Sequence, residues 1–122
     1  MMSELPHGLP LAAVEKIRAV FATHLEVEKA VLYGSRAKGK YKTGSDIDLT
    51  MFGDELNHSI LLKILDELDE LLLPWMIDLS IFRQIDNESL REHIERVGVV
   101  FYERKADSRG DAEGAEKIRA LL

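Results

Sequence analysis

The sequence contains no cysteine, only three prolines and few aromatic residues, and its acidic side chains outnumber the basic ones. The absence of cysteine excludes disulfides and thiolate metal sites and agrees with a cytoplasmic location. The formal net charge of −6 argues against broad electrostatic binding to nucleic acid, which depends on Lys and Arg neutralising phosphates. No apolar run approaches the roughly 18 residues of a membrane span, and the first residues lack the pattern of a signal peptide. We therefore predict a cytoplasmic domain with no membrane contact and no direct nucleic-acid binding.

The remaining composition is that of an ordinary globular domain. The chain has 122 residues, of which 46% are hydrophobic and 31% charged. Hydrophobic periodicity predicts helices over residues 9–25, 57–72 and 86–97, and strands over residues 29–33, 46–52, 76–82 and 99–102. This order predicts a small α/β (α+β) fold, a mixed sheet with helices packed against it, over residues 1–105. Residues 106–122 are predicted to be a charged tail, within which a short helix is left open.

Two acidic residues lie in the second predicted strand, in the stretch "SDIDLTMF". Side chains alternate along a strand, so Asp46 and Asp48 share one face while the apolar residues between and after them share the other. Asp78 repeats the pattern in the third strand, "MIDLSIF". If these strands are neighbours, three carboxylates meet on one patch, where hard oxygen ligands suit Mg²⁺ better than Zn²⁺. The alternative is that the acids only solvate an exposed sheet face.

The loop between the first two strands begins with Gly34 and Ser35 and then becomes the most basic part of the chain. A glycine directly after a strand lets the backbone approach a ligand, and the following N–H groups and the serine hydroxyl can donate to phosphate oxygens. Arg36, beside this pair, is a further candidate for phosphate contact. Lys40 and Lys42 are interpreted as solvated loop residues.

These residues, in this order, resemble the minimal nucleotidyltransferase (MNT) family of the polymerase β-like superfamily. Gly34-Ser35 matches the family's G-S element, Asp46 and Asp48 match its paired metal-binding acids, and Asp78 fits the third acid. The resemblance covers roughly residues 9–102. It implies a polymerase β-like nucleotidyltransferase fold. The catalytic and metal-binding residues are predicted to be Asp46, Asp48 and Asp78, and the nucleotide- or phosphate-binding residues Gly34, Ser35, Arg36 and Ser45.

The activity that the resemblance implies is transfer of a nucleoside monophosphate from a nucleoside triphosphate, ATP being the expected substrate, to a hydroxyl group. Two Mg²⁺ ions are expected, one for the attacking hydroxyl and one for the triphosphate. Minimal members of the family are typically encoded beside a helical HEPN-domain toxin and act as its antitoxin by transferring AMP to a tyrosine of the toxin. The resemblance therefore implies a HEPN partner from a neighbouring gene, in a homo- or hetero-oligomer.

Two other functions stay open at this point. The chain could be a non-catalytic antitoxin or binding subunit that neutralises a HEPN partner by forming a complex. It could also be a small-molecule nucleotidyltransferase of the type that modifies antibiotics, although 122 residues leave little room for a second domain.

Several residues have no role in this prediction. The four histidines, at positions 7, 24, 58 and 93, show no ligand or triad spacing and are interpreted as surface or capping residues. The predicted helix over residues 57–72 is unusually apolar, which is equally compatible with a partner surface and with burial inside the domain.

Overall fold

The computed structural model describes residues 7–104, and the predicted tail at residues 106–122 lies outside the described residues. The predicted order of helices and strands is confirmed, with a helical turn added directly after the first strand and a 3-10 turn added after the third. In chain order the elements are α1 Leu11–Ala22, β1 Lys29–Tyr33, α2 Gly34–Ala37, β2 Ile47–Phe52, α3 His58–Asp69, β3 Ile77–Ile81, a 3-10 turn Phe82–Gln84, α4 Glu88–Val97 and β4 Val99–Glu103.

The ends of the helices follow from local chemistry. Pro10 occupies the N-cap of α1, and the asparagine side chains of Asn57 and Asn87 cap α3 and α4 by accepting the N–H groups of Ile60 and Leu90. α3 ends at Asp69, three residues before the predicted end, and the chain then turns through Leu72 at a positive φ of 56°. None of the helices in the described part of the chain is long and apolar enough to cross a bilayer.

The four strands form one mixed sheet in the order β3-β2-β1-β4. β1 is antiparallel to both β2 and β4, whereas β2 and β3 are parallel. Two parallel neighbours need a long crossover connection, and α3 provides it. The polymerase β-like fold predicted from the sequence therefore has its two acid-bearing strands side by side.

The main hydrophobic core lies between one face of the sheet and helices α1 and α3. Its buried members include Ile17 and Phe21 from α1, Ile64 and Leu68 from α3, and Leu49 from the centre of the sheet. A smaller cluster lies on the other face, where α4 covers part of β1; it contains Val31, Tyr33, Phe82 and Ile94. The uncovered part of this second face carries the acidic residues.

Helix α3 divides its apolar residues between burial and exposure. Ile64 and Leu68 are in the core, but Leu62 is 52% exposed. In the segment that follows the helix, Leu72 is 87% exposed and Met76 is 73% exposed. Burial inside the domain is therefore confirmed for one side of the helix, and a partner surface on its exposed side stays a prediction.

Arg36 holds the loop between β1 and β2 in place from inside. Its side chain is only 2% exposed, and its guanidinium donates to the carbonyl oxygens of Ser45 at 3.1 Å, His7 at 3.0 Å and Thr43 at 3.2 Å. The indole of Trp75 donates to the same Thr43 carbonyl at 3.0 Å. This position does not favour the predicted phosphate contact of Arg36, because the guanidinium is buried and three of its five N–H donors already bind backbone carbonyls.

We therefore expect Arg36→Gln to lower the free energy of unfolding by about 2–4 kcal/mol, because it removes three charge-assisted hydrogen bonds, including the buried one to the His7 carbonyl. Arg96→Gln is the matched control, since Arg96 is exposed on α4, and should change stability by less than about 0.5 kcal/mol. Urea unfolding of both variants measures the difference. Equal stability of the two variants would show that the buried guanidinium does not hold the loop.

Candidate active site

The parallel pairing of β2 and β3 places Asp48 directly opposite Asp78 in the sheet register. Neighbouring residues on each strand, such as Leu49 and Leu79, face the main core, so both carboxylates project from the opposite face. Asp46 stands two residues before Asp48, immediately before β2 begins, and falls on the same side. The adjacency on which the sequence prediction depended is therefore present in the structure.

Asp48 is the most enclosed of the three acids, and its environment disfavours the charged form. Burial raises the pKa of the Asp48 carboxyl, and the negative charges of Asp78 and Asp46 raise it further. His93 acts in the opposite direction, as the last contribution. A cation placed among the three carboxylates would relieve the repulsion.

The chemistry of these donors fits Mg²⁺, because carboxylate oxygens are the ligands that this hard cation prefers. Across residues 7–104, however, no group of three or more Asp, Glu, His or Cys side chains is gathered closely enough to hold a metal ion. Asp46 and Asp78 are exposed, while Asp48 is partly buried. The three acids thus share a face and an electrostatic interaction without forming a closed ligand set.

Gly34 brings the backbone of the loop against the acids. Its φ is +78°, and a Cβ added at this position would lie 2.3 Å from Oδ2 of Asp48. A residue with a side chain would be strained at this positive φ, and its Cβ would require the Asp48 carboxylate to move. The Gly34 N–H donates to Nε2 of His93 at 3.3 Å.

The two predicted serine ligands have different positions. Ser35 lies in α2, partly buried, and its carbonyl accepts the N–H of Lys40 at 2.9 Å. Ser45 closes a turn, since its hydroxyl accepts the N–H of Lys42 at 2.7 Å. The hydroxyl of Ser45 is therefore used in shaping the loop immediately before Asp46. The side chains of Lys40 and Lys42 are exposed, as expected for a solvated loop.

A group of polar side chains beside the acids was not predicted from the sequence. The hydroxyl of Ser80 donates to Thr50 Oγ1 at 2.9 Å, on the same face of β3 and β2 as Asp78 and Asp48. Burial raises the pKa of the Tyr33 hydroxyl; a hydrogen bond with Ser80 lowers it, and the charges of Asp78 and Asp48 raise it again. Tyr33, at the end of β1, thus lies beside Ser80 and close to the two carboxylates on the same face of the sheet.

The interpretation of the histidines as surface or capping residues was wrong for three of them. His93 contacts the site, His7 is buried, and Nε2 of His24 is 2.9 Å from Oε1 of Glu67. The periodicity of α4 offered a signal for His93, because it lies three residues after Leu90 and one before the buried Ile94. That spacing places it on the side of the helix that faces the sheet.

Gly34→Ala and Gly39→Ala form a matched pair that tests the contact with Asp48. Both glycines have positive φ (78° and 76°), but nothing lies within 4 Å of a Cβ added at Gly39. The Asp48 side chain can rotate away from a Cβ at position 34, so the contact itself should not lower stability. We therefore expect each variant to lose about 1–2 kcal/mol of unfolding free energy, from the left-handed backbone alone. Only Gly34→Ala should displace the Asp48 carboxylate and weaken Mg²⁺-dependent nucleotide binding, measured by calorimetry. Equal binding by the two variants would contradict the assignment.

The raised pKa of Asp48 predicts that Asp48→Asn stabilises the protein at pH 7. A carboxyl whose pKa is higher in the folded than in the unfolded chain lowers the free energy of unfolding at pH values above its folded-state pKa. This penalty vanishes below the pKa of the unfolded chain, about 4. The melting temperature of Asp48→Asn should therefore exceed that of the wild type at pH 7, with the difference shrinking on acidification. Asp54→Asn, which removes an exposed carboxyl beyond the other end of β2, should show no such gain. An Asp48→Asn protein no more stable than wild type at pH 7 would refute the argument.

Comparison with known proteins agrees with this geometry. The family model described as "Polymerase beta, Nucleotidyltransferase" matches residues 15–107, which include all the elements that carry the site. The probable protein adenylyltransferase MntA of Haemophilus influenzae is 36% identical over 74 residues, covering 60% of this chain. The chain spans 64% of the length of this curated relative.

Solved structures share the fold. A toxin–antitoxin crystal structure with AMP-PNP aligns with a TM-score of 0.62 at 19% identity, over 79% of this chain and 77% of the other. The MNT antitoxin complex with a tri-AMPylated HEPN toxin from Shewanella oneidensis aligns with a TM-score of 0.58 at 17% identity, over 81% of this chain and 76% of the other. The strand order, the acid-bearing face and the match of the family model lead to one assignment: the chain belongs to the polymerase β nucleotidyltransferase family.

Proposed function

We propose that the protein is a Mg²⁺-dependent nucleotidyltransferase that moves AMP from ATP to a tyrosine hydroxyl of a HEPN-domain toxin and thereby acts as its antitoxin. The observation that carries this proposal is the cross-strand pair of Asp48 and Asp78, with the Gly34 backbone held against Asp48. A glycine loop beside converging carboxylates is what a site for a metal-bound triphosphate requires.

The reaction assigns separate tasks to these residues. Asp46 and Asp48 would hold two Mg²⁺ ions, with Asp78 completing the site on the side of the acceptor. Bound there, the ions would lower the pKa of the hydroxyl and neutralise charge on the phosphates. The acceptor oxygen attacks the α-phosphorus, the bond from that phosphorus to the oxygen bridging to the β-phosphate breaks, and pyrophosphate leaves. Asp78 accepts the proton of the hydroxyl.

The phosphate contacts in this proposal fall mainly to the start of the loop. Gly34 and Ser35 lie next to the acids and would face the β- and γ-phosphates, whereas Arg36 and Ser45 act indirectly by holding the loop in shape. The unit that performs the reaction would be residues 1–105, with residues 106–122 as a separate tail. The absence of cysteine agrees with action in the cytoplasm, where ATP is available.

The partner and target in this proposal come from the relatives. The Haemophilus influenzae protein bears the name of a protein adenylyltransferase, and the similar solved structures include a HEPN toxin that is AMPylated and bound to its MNT antitoxin. A protein acceptor also agrees with the open acid face of the sheet, because a large substrate can supply the walls of the site itself. The partner would be encoded by a neighbouring gene.

A second function is favoured by one observation. The carboxylates of the described chain do not form a closed metal site, which is compatible with an antitoxin that works by contact alone. In that case replacing the acids would leave neutralisation of the partner unchanged.

The deciding experiment mixes the protein with the product of the neighbouring gene, Mg²⁺ and α-labelled ATP and follows label on both chains. We expect label on the partner, and a loss of about 100-fold or more for Asp46→Asn, Asp48→Asn and Asp78→Asn. Asp54→Asn is the control for loss of a carboxylate remote from the site and should label normally. A tight complex with no label, in which the asparagine variants still neutralise the partner, would replace the transferase by the binding function.

A further inference from the structure

His93 is the residue of α4 that contacts the glycine loop. Its Nε2 accepts the N–H of Gly34 at 3.3 Å, across 59 residues of sequence. Because the backbone amide is the donor, Nε2 must be the unprotonated nitrogen, and the ring is the neutral tautomer with its proton on Nδ1. The contact thus fixes the tautomer of the imidazole and the orientation of the peptide between Tyr33 and Gly34.

The ring of His93 is held in this position from several sides. It meets the ring of Tyr33 edge-on, with centroids 6.2 Å apart. α4 itself is anchored by Ile94, which is 3% exposed and packs in the second cluster, and by the Asn87 cap at its start. An imidazole on a packed helix is a rigid acceptor, so the amide that it binds is rigid too.

The hydrogen bond reaches the acids through Gly34. The site where a Cβ would stand on Gly34 is 2.3 Å from Oδ2 of Asp48, so any drift of this backbone changes the space available to the carboxylate. The hydrogen bond from the Gly34 N–H to His93 therefore holds the segment of backbone that lies against this carboxylate. One side chain on α4 therefore contacts the glycine that lies against Asp48.

We propose that His93 is a positioning residue that sets the Gly34 backbone against Asp48 and thereby prepares the site for the metal-bound triphosphate. This inference rests on the proposed function. It gives Gly34 a narrower role than the family resemblance implies. The Gly34 N–H is already bound to His93, so Gly34 contributes the space left by its absent side chain and does not donate its amide to the phosphates. Donors to the phosphates then come from residues after Gly34.

The simpler alternative is that His93 only fills space between α4 and β1. The two roles differ in what can replace the imidazole. Glutamine places its Oε1 close to the position of Nε2 and can accept the same N–H, whereas asparagine is too short to reach it and alanine has no acceptor. A packing role would make glutamine and asparagine similarly poor, and would act through the stability of the whole domain.

The experiment compares His93→Gln, His93→Asn and His93→Ala with His58→Ala, an exposed histidine at the start of α3. Labelled transfer with the partner gives KM for ATP and kcat, and hydrogen exchange of the nucleotide-free protein gives protection of the Gly34 amide. We expect His93→Ala and His93→Asn to raise KM by about 3- to 10-fold, the value of one hydrogen bond, and to speed exchange of that amide similarly. His93→Gln should stay within about 2-fold of wild type, as should His58→Ala.

The outcomes separate this inference from the proposed function. If the wild-type pair transfers AMP but His93→Ala has the same KM and the same Gly34 exchange as His58→Ala, the positioning role is overturned and the transferase stands. If the wild-type pair transfers nothing, the proposed function fails, and the exchange data with binding of Mg²⁺ and AMP-PNP still decide whether His93 positions the loop. If His93→Gln were as impaired as His93→Ala, His93 would have only a packing role.

Discussion

The parallel pairing of β2 with β3 is the constraint on which the rest of this structure depends. It places Asp48 opposite Asp78 on adjacent strands, with only the distance between two strands separating like charges. Such a pair is unfavourable in the absence of a cation, and carboxylates directly opposite each other destabilise a sheet. The pairing can persist because the other face of the same strands is buried: Leu49 and Leu79 contribute to the main core under α1 and α3. Apolar burial on one face thus holds together an electrostatically strained face on the other.

The loop from β1 to β2 is an irregular segment beside this charged face, and it is held in place by side chains from within. Arg36 and Trp75 both donate to the carbonyl of Thr43, and the guanidinium lies between the Trp75 and Tyr41 rings, 5.8 Å and 5.1 Å from their centroids. A guanidinium suits this task because its donors point in several directions within one plane. Arg36 therefore binds backbone carbonyls, while the exposed lysines of the same loop remain in solvent.

The sequence predicted the parts of the structure that repeat with a regular period. Alternation along β2 and β3 was enough to put Asp48 and Asp78 on a face opposite the core, because the period of two residues is imposed by the backbone itself. The asparagine caps were also readable, since capping depends on residues three positions apart. The burial of Arg36 was not readable, because its three acceptors belong to Ser45, His7 and Thr43, and no local pattern brings those carbonyls together.

His93 lies between these two cases. It was interpreted as a surface or capping residue, although its spacing in α4 is that of the side facing the sheet. Its partner, the Gly34 amide, could not be predicted, because α2 and α4 come into contact only in the folded domain. A histidine without metal or triad spacing can still belong to a site, by binding the backbone that shapes it. In this domain the side chains that would bind the ligand are carried by β2 and β3, whereas the accuracy of their placement is set by Arg36 in the loop and His93 on α4. A site built in this way should be sensitive to residues that hold the loop and its glycine in place without binding the ligand themselves.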